Sequence, residues 1–394
     1  MNFNHTTFLK NIAQTTASPM LLDIEKAEGI YLYAPNGKKY MDLISGVAVS
    51  NIGHRHPRVI KAIKDQLDKH LHVMVYGEYV QSSPNLLAEK LTGLLPKELS
   101  CCYFTNSGTE AIEGALKLAK RYTGRTQIIS CERAYHGSTH GALSISGNES
   151  KKQAFRPLLP DVKFMRFNVV EDLNMITDET ACVIIEPVQG DAGVRIPSKN
   201  YLKLLRQKCN MHGVLLIFDE IQTGIGRTGK LFAFEHFNVI PDILTSAKAL
   251  GGGLPMGTFI SSYEIMHHLT HNPMLGHITT FGGNPVCCSA ALATLQVIED
   301  ENLLDQVEKK GKLFEQLLVH DKIKEVRRLG LMFAFEFETE NEVYRIVQEC
   351  MTHGVICFWF LSCPNSFRIA PPLTITEAEI TAACNIILTA VDQL

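Results

Sequence analysis

The chain has 394 residues, of which 45% are hydrophobic and 20% charged, so it can bury a sizeable core and long disorder is not expected. Its 38 Lys and Arg against 41 Asp and Glu give a net charge of −3, which lacks the basic surplus that nucleic-acid binding requires. The sequence has no secretory pattern and no stretch near the roughly 20 apolar residues of a membrane span. The 11 cysteines show neither a disulfide nor a zinc-binding spacing. We therefore expect a cytoplasmic protein without a nucleic-acid or membrane partner.

The first predicted element is a β-hairpin, in which an Asn36-Gly37 turn joins two short strands. From about residue 57, segments with helical periodicity alternate with short apolar runs. This alternation is typical of βαβ units and of a mainly parallel, buried sheet. The predicted helices in this part are 110–122 and 200–211, and the predicted strands are 127–131, 163–167, 181–185, 214–218, 243–246 and 257–261.

The C-terminal part has a different pattern. Residues 286–319 are helical in periodicity, and the segments that follow are strands at 325–337, a helix at 341–353, strands at 355–360 and 366–370, and a helix at 377–392. We therefore predict an α/β chain with a large domain at residues 50–285 and a small α+β domain made of residues 1–49 and 286–394.

A helix start beside a glycine is the first candidate binding site. A predicted strand ends near residue 105, and the chain passes through Ser107 and Gly108 directly into a helix. Free backbone N–H groups and the positive end of the helix favour a phosphate there, and Gly108 allows a close approach. The alternative is a capped helix start, with Ser107 or Thr109 as the cap and Glu110 in the first turn, and these residues alone favour it.

Two charged residues follow buried strands. Asp219 ends the apolar run at 214–218, and Lys248 follows the run at 243–245 and precedes three glycines. In open α/β sheets, ligands bind beyond the carboxyl ends of the strands. Taken singly, Asp219 could be a helix cap or half of a salt bridge, and Lys248 could be a surface residue. A desolvated lysine, however, has a lowered pKa and forms Schiff bases.

The three features together point to one cofactor. Pyridoxal 5'-phosphate needs a lysine for its aldehyde, an acid that keeps its ring nitrogen protonated, and a cradle for its phosphate. The sequence supplies these three groups in the chain order Gly108 (the helix start), Asp219 and Lys248. We therefore predict that the chain binds this cofactor.

Two other motifs are expected to be structural. Gly224–Gly229 matches G-x-G-x-x-G, and with Lys230 it matches the start of a P-loop. The next residue is Leu231 where a P-loop needs a hydroxyl, and five residues separate the preceding strand from the glycines, so no nucleoside triphosphate site is expected. The two histidines in Gly53–Pro57 are expected to have structural roles, and we predict no metal site.

Several longer segments resemble a known family. They are NSGTEAIEGALKLAK, YHGSTHGALS, IIEPVQGDAG, the block from Leu215 to Gly257, and TTFGGNP. They resemble the class III pyridoxal-phosphate-dependent aminotransferases of the ornithine, acetylornithine and 4-aminobutyrate type, and the similarity extends from about residue 20 to 390. The resemblance implies an α/β chain of PLP fold type I with a mainly parallel, seven-stranded sheet, a homodimer, and sites at the subunit interface.

The resemblance also implies roles for individual residues. Lys248 resembles the Schiff-base lysine and general base, and Asp219 resembles the partner of the ring nitrogen. Gln222 matches the residue that hydrogen-bonds the ring hydroxyl, and Ile221 and Tyr135 match the residues on the two ring faces. The other cofactor-binding positions that it implies are Ser107, Gly108, Thr109, His136 and Glu186, with Thr280 donated by the second subunit.

The substrate side departs from the family. Arg368 resembles the arginine that binds the α-carboxylate through two parallel hydrogen bonds. Ser138, however, stands where these enzymes usually have an Arg for a second carboxylate. Asp191 replaces a Glu that pairs with the carboxylate-binding Arg, and Val47 stands where ornithine enzymes have Tyr. We expect all four residues to bind substrate, and the groups that remain open as further anion ligands are Arg195, His136, His140 and Arg55.

These features predict a transaminase that moves an amino group between an amino acid or ω-amine and a keto acid by ping-pong chemistry through Lys248. Glutamate and 2-oxoglutarate are the couple that the family suggests. The alternative is another fold type I reaction, by an aminomutase, a racemase or a decarboxylating transaminase, because the motifs do not distinguish these. A non-catalytic binding protein is disfavoured, because Lys248, Asp219 and Gln222 are all retained.

Overall fold

The computed structural model describes residues 3–394, and across them the chain forms three β-sheets surrounded by helices. The strands are β1 Lys26–Glu28, β2 Tyr31–Tyr33, β3 Lys39–Asp42, β4 Cys101–Thr105, β5 Gln127–Cys131, β6 Val162–Met165, β7 Thr180–Ile185, β8 Leu215–Asp219, β9 Ile243–Ala247, β10 Gly257–Ser261, β11 Glu325–Leu329, β12 Met332–Glu336, β13 Val355–Ile356, β14 Phe358–Trp359 and β15 Ser366–Ile369.

The helices are of very different lengths, and α2 is a left-handed turn rather than a regular helix. They are α1 Phe3–Asn11, α2 Ser45–Ala48, α3 Pro57–Leu67, α4 Ser82–Gly93, α5 Gly108–Thr123, α6 His140–Ser144, α7 Tyr201–Met211, α8 Tyr263–His267, α9 Pro285–Asp300, α10 Leu303–Leu317, α11 Glu340–Thr352 and α12 Glu377–Asp392. None of these helices, within residues 3–394, is long and apolar enough to cross a membrane.

The large sheet has seven strands in the order β4-β10-β9-β8-β7-β5-β6. The strands from β9 to β6 are parallel, whereas β10 runs antiparallel to both β9 and β4. Strands β7, β8 and β9 are buried along their whole length, which explains why the sequence there is apolar without alternation. The predicted α/β class with a mainly parallel sheet is confirmed.

Two smaller sheets use residues from the ends of the chain. One has the order β1-β2-β3-β13, so the predicted N-terminal hairpin pairs through β3 with a strand near residue 355. The other has the order β11-β12-β15-β14 and is formed by the C-terminal part alone. The division into a large domain at 50–285 and a small domain from both ends stays a prediction.

The segment 286–319 is two helices rather than one. The helix α9 ends at Asp300, and α10 begins at Leu303. Between them Asn302 has a φ of +50°, a left-handed conformation that asparagine adopts more readily than most residues and that a continuous helix cannot contain.

Candidate active site

Six strands of the large sheet, all except β10, end at the same edge, and five of them place residues in one cavity wall. The strands β5, β7, β8 and β9 are parallel, and β4 points the same way because both β4 and β9 are antiparallel to β10. Residues just beyond these five strand ends line a cavity of about 760 Å³. They are Ser107, Gly108 and Thr109 after β4, Tyr135 and His136 after β5, Glu186 after β7, Asp219, Ile221 and Gln222 at β8, and Lys248 after β9.

Lys248 has an unusual backbone conformation, with a φ of +46°. Such left-handed conformations are uncommon for residues other than glycine and are concentrated at functional sites. Burial lowers the pKa of Lys248, and the positive charge of Arg368 lowers it further, whereas the negative charges of Asp219, Glu186 and Asp191 oppose the shift. The balance moves towards the neutral amine, which is the form that attacks an aldehyde.

Asp219 and His136 form a buried pair beside the amine. His136 Nδ1 donates to Asp219 Oδ2 over 2.6 Å, and the backbone N–H of Ile221 donates to Asp219 Oδ1 over 3.0 Å. Burial disfavours the charged imidazolium, but the hydrogen bond and charge of Asp219, with the charge of Glu186, outweigh burial and raise the pKa of His136. These two hydrogen bonds therefore hold the carboxylate of Asp219 in a fixed orientation at the cavity wall.

Glu186 ties two cavity loops together. Its carboxylate accepts from the backbone N–H of Tyr135 over 3.0 Å and from that of Gly190 over 2.7 Å. Burial raises the pKa of Glu186 to about 7, despite these two hydrogen bonds and the nearby His136. The residue thus lies at the cavity wall and also holds the positions of its neighbours.

The start of α5 combines a cap with an open backbone. Ser107 is the N-cap residue, and its side chain accepts from the backbone N–H of Glu110, as one of the two sequence-based interpretations expected. The cap leaves the N–H groups of Gly108 and Thr109 at the positive end of the helix and in the cavity wall. A side chain at position 108 would come within 2.8 Å of Ile221, so glycine is needed for the two to lie together.

The loop after β5 places Tyr135 and Ser138 in the cavity wall. Gly137 has a φ of +130°, and a Cβ there would lie 2.3 Å from Thr109 Oγ1, so this close approach also needs glycine. The hydroxyl of Tyr135 lies 3.3 Å from Ser138 Oγ. Tyr135 keeps 44% of its surface exposed, so its ring is available to a ligand.

Arg368 lies in β15, which belongs to the sheet β11-β12-β15-β14, and lines the cavity. Its Nη1 is 3.7 Å from Asp191 Oδ1, which is an ion pair but too long for a hydrogen bond. Arg368 Nε and Asp191 Oδ2 are both buried and have no hydrogen-bond partner among the described residues. Burial lowers the pKa of Arg368, and Asp191 opposes the shift. The unsatisfied donor Arg368 Nε favours a ligand with an acceptor that completes its hydrogen bond, such as a carboxylate, whereas Asp191 Oδ2 requires a donor.

The segment Ser45–Ala48 forms a left-handed turn that the sequence analysis did not predict. Its four residues have φ values of +52°, +60°, +66° and +60°. The left-handed conformation costs about 1–2 kcal/mol for each residue that is not glycine, and it is least suited to a β-branched residue such as Val47. Val47 and the following Val49 line the cavity.

The cavity wall contains all the predicted cofactor and substrate positions except Thr280. Thr280 is exposed and absent from the cavity wall that the described residues form. Arg195, Arg55 and His140 are absent from it too, and His136 is bonded to Asp219, which leaves Arg368 as the arginine in the part of the wall that the structure describes.

Ten cavity residues were not predicted as site positions. Gly137, Thr223 and Ala247 adjoin predicted positions, and Gly253 is the last of the three glycines after Lys248. Leu254, Pro255 and Met256 directly follow the three glycines after Lys248, and that proximity was a usable signal. The other three reach the cavity from distant or polar segments without a local pattern, and they are Val49, Asn106 and Leu361.

The family is established by comparison with known proteins. The model of the family described as Aminotransferase class-III matches residues 12–391, so the chain belongs to the class-III aminotransferases. It is an enzyme of this class with PLP fold type I and pyridoxal 5'-phosphate as its cofactor.

Individual relatives agree with this assignment. The chain is 42% identical over 375 residues to an acetylornithine aminotransferase from Methanocaldococcus jannaschii, with 91% of each protein covered. It is similar to the ornithine aminotransferase structure from Toxoplasma gondii, with a TM-score of 0.92, 29% identity, and coverage of 99% of this chain and 94% of that one. A PLP-bound amine transaminase from an uncultivated Pseudomonas species gives a TM-score of 0.89 and 29% identity, with 97% and 98% covered.

The cavity fits this cofactor on its own evidence. An amine with a lowered pKa, a fixed buried carboxylate and an open helix start face the same space. These are the groups that the aldehyde, the ring nitrogen and the phosphate of PLP require.

Proposed function

We propose that this class-III aminotransferase transfers the amino group of an amino acid or ω-amine to a keto acid, with the two substrates using the same cavity in turn. The observation that carries the proposal is that Lys248, Asp219 and Arg368 line one cavity. They are an amine with a lowered pKa, a buried carboxylate and a buried guanidinium. These groups suit a base, an electronic partner for the cofactor ring and an anchor for a carboxylate.

On the cofactor side of the cavity, the residues at the strand ends can each be assigned a role in holding PLP. Bound there, PLP supplies an aldehyde that condenses with amines and a ring that withdraws electrons. We assign the phosphate to Ser107–Thr109, the ring nitrogen to Asp219 and the ring hydroxyl to Gln222. Ile221 and Tyr135 cover the two ring faces. His136 keeps Asp219 oriented, and Glu186 holds the loop of Tyr135.

The substrate side depends on Lys248 and Arg368. Lys248 Nζ takes a proton from the substrate carbon that bears the amino group, which requires the neutral amine. Burial and Arg368 both lower the pKa of Lys248 and so increase the neutral fraction. Arg368 binds the substrate carboxylate through its guanidinium, of which the buried Nε has no partner among the described residues.

The identity of the two substrates is the finer part of the proposal. The relative from Methanocaldococcus jannaschii makes acetylornithine the first donor to test, and the family couple makes 2-oxoglutarate the first acceptor. Pyruvate belongs in the same panel, because Ser138 offers no charge to a second carboxylate. A preference for pyruvate would contradict the glutamate couple and leave the transaminase proposal intact.

A half-reaction tests the proposed chemistry. The PLP-loaded enzyme is mixed with each amino donor in the absence of an acceptor, and the carbonyl product released is measured, which is a keto acid from an α-amine and an aldehyde from a terminal amine. A transaminase releases about one equivalent per active site and then stops, because the amino group stays on the enzyme. A racemase or an aminomutase releases none, a decarboxylating transaminase also releases carbon dioxide, and a binding protein does not react with any donor.

We also propose that the enzyme is a homodimer. An apolar patch, formed by residues 71–80 and 274–281, lies on the surface of the chain. Val80 and Met274 in it are 91% and 77% exposed. The two segments are joined by a ring contact of 4.9 Å between His72 and Phe281. An apolar patch of this kind marks an interface, and Thr280 lies within it.

Mixed dimers test both the dimer and the role of Thr280. Lys248→Ala and Thr280→Ala subunits are combined, and the affinity of the intact Lys248 sites for PLP is measured. If Thr280 serves the opposite subunit, the mixed dimer regains wild-type affinity at its one intact site, because that site receives Thr280 from the Lys248→Ala subunit. Unchanged weak affinity, or a monomer by light scattering, would overturn the proposal.

A cytoplasmic location is the last part of the proposal. All 11 cysteines, which lie within residues 3–394, are free thiols, and most are buried. Free thiols are typical of a reducing compartment.

A further inference from the structure

The left-handed turn Ser45–Ala48 is held by a buried carboxylate. Asp42 Oδ1 accepts from the backbone N–H groups of Ile44 and Ser45 over 2.9 and 2.8 Å. His54 Nε2 donates to Asp42 Oδ2 over 2.9 Å. A carboxylate with three such donors fixes the direction in which the chain enters the turn, and a strained conformation persists only where its surroundings fix it in this way.

The same turn is bonded to the strand that bears Arg368. Ser45 Oγ donates to the carbonyl oxygen of Ala370 over 2.8 Å, and the backbone N–H of Ala370 donates to the carbonyl oxygen of Leu43 over 2.6 Å. Ala370 lies two residues after Arg368. The position of Val47 is therefore linked to the position of the guanidinium across more than 320 residues of chain.

A buried arginine bonds the segment that follows the turn to the segment that follows Arg368. Arg227 Nη1 donates to the carbonyl oxygens of Leu331 and Pro371 over 3.0 and 2.5 Å, and its Nη2 donates to Asn51 Oδ1. Asn51 Nδ2 in turn donates to the carbonyl oxygen of Ile225 over 2.7 Å. The Gly224–Gly229 motif thus joins the segment after the turn to the segment after Arg368.

Arg227 is fully buried and has no carboxylate within ion-pair distance among residues 3–394. Burial lowers the pKa of Arg227 to about 9, and the charge of Asp42 opposes this shift. The two buried charges therefore stabilise one another through space while each bonds a different part of the substrate side.

We propose that Asp42 and Arg227 are positioning residues that together set the geometry between the Val47 turn and Arg368, and thereby the affinity for the carboxylate of the substrate. The inference rests on the proposed role of Arg368 as the carboxylate anchor. Neither residue lines the cavity, and their hydrogen bonds reach only the segments of the substrate side and the loop at 224–231. Their effect is therefore confined to substrate binding and leaves the cofactor groups in place.

The test compares two donors on the PLP-loaded variants Asp42→Asn and Arg227→Lys. One donor is the best amino acid of the wild-type panel, and the other is the amine that its decarboxylation gives. We expect KM for the amino acid to rise about tenfold or more with kcat nearly unchanged, because a small displacement of Arg368 weakens a bidentate contact. The kcat/KM for the amine should stay within about twofold, because the amine has no carboxylate for Arg368. If the wild type does not turn over the amine, its competitive inhibition constant replaces the rate.

Matched controls separate positioning from general stability. Arg125 also donates to three backbone carbonyls, those of Thr180, His212 and Gly213, and Asp242 accepts from the N–H of Leu216 and from Arg206. Arg125→Lys and Asp242→Asn remove equivalent bonds outside the cavity wall and should leave the ratio of the two donors unchanged. Equal losses for both donors in Asp42→Asn and Arg227→Lys, or the same ratio change in the controls, would overturn the proposal.

A milder variant covers the case in which the charged variants do not fold. Ser45→Ala removes only the hydrogen bond to Ala370, and we expect the same selective rise in KM at about threefold. No selective rise would overturn the proposal. A wild-type enzyme that releases no keto acid or aldehyde from any donor would instead contradict the proposed function, before any variant is compared.

Discussion

The two sides of the cavity are built in different ways. The cofactor side comes from the ends of neighbouring strands in one sheet, so the register of that sheet places Asp219, Lys248 and the start of α5 together. The substrate side comes from a strained turn, loops and a second sheet, which are joined by long-range hydrogen bonds. The chemistry is thus fixed by the sheet, whereas specificity depends on parts that can vary without disturbing it.

The largest expected effect is on the cofactor side. Lys248→Ala removes the proposed base and the amine that joins the cofactor, so turnover should fall about 10³-fold or more. Borohydride reduction followed by peptide mapping checks the site of attachment. The wild type should carry the label on Lys248, and the variant should carry none.

The control for this variant is another lysine that bonds within the protein. Lys152 donates to the carbonyl oxygens of Ser146 and Ser144, and Lys152→Ala should keep the label and the turnover. Wild-type turnover in Lys248→Ala would show that the reaction does not pass through this residue.

A smaller loss is expected at the neighbouring strand end. Asp219→Asn removes the charge that faces the ring nitrogen, so kcat should fall about 10²-fold. Because Asp219 raises the pKa of His136, that pKa should also fall in the variant, which NMR of labelled histidine can follow.

The adjacent carboxylate is a matched control. Glu220 accepts from the N–H groups of Ala233 and Phe234 and from Thr223, and it is absent from the cavity wall that the described residues form. Glu220→Gln should lower the free energy of unfolding by about 1–3 kcal/mol and leave kcat nearly unchanged. A similar loss of kcat in both variants would mean that Asp219 acts through stability alone.

On the substrate side, Arg368→Gln should raise KM for amino-acid donors about 10- to 100-fold, since it removes charge-assisted hydrogen bonds to the carboxylate. Arg195→Gln, which changes an arginine absent from the described cavity wall, should not. An unchanged KM in Arg368→Gln would place the carboxylate elsewhere.

The same variant has a second, pH-dependent effect. The charge of Arg368 lowers the pKa of Lys248, so its removal should raise that pKa. Less neutral amine is then present at a given pH, and the pH profile of PLP loading onto the apoenzyme should move to higher pH. A profile that stays in place would show that the charge of Arg368 does not lower the pKa of Lys248.

The two sides of the cavity also differ in how much of each could be predicted from the sequence. The strands ending at Asp219 and Ala247 are marked by local apolar runs, and the parallel sheet that follows from their alternation is confirmed. Both strand ends meet at one edge because parallel strands end at the same edge of a sheet. The roles assigned to Lys248 and Asp219 stay predictions.

The substrate side was harder to predict from the sequence, for a physical reason. The turn at Ser45–Ala48 has no glycine-rich signal that matches its four left-handed residues, and it depends on Asp42 and on Ala370, far along the chain. Arg227 lies in a motif that was rejected as a nucleotide site, and the hydrogen bonds of its side chain all reach distant segments. Such interactions leave no periodic pattern in the sequence.

The smallest expected effect concerns selectivity at position 138. Ser138 lines the cavity near Tyr135 and carries no charge, so the second carboxylate of 2-oxoglutarate gains nothing from it. Ser138→Arg adds a guanidinium at this wall, and we expect kcat/KM for 2-oxoglutarate relative to pyruvate to rise about tenfold. Ser138→Met, which adds length without charge, should leave the ratio unchanged. If both variants shifted the ratio alike, the pocket would select by shape at this position, and the absence of a charge there would not explain the preference.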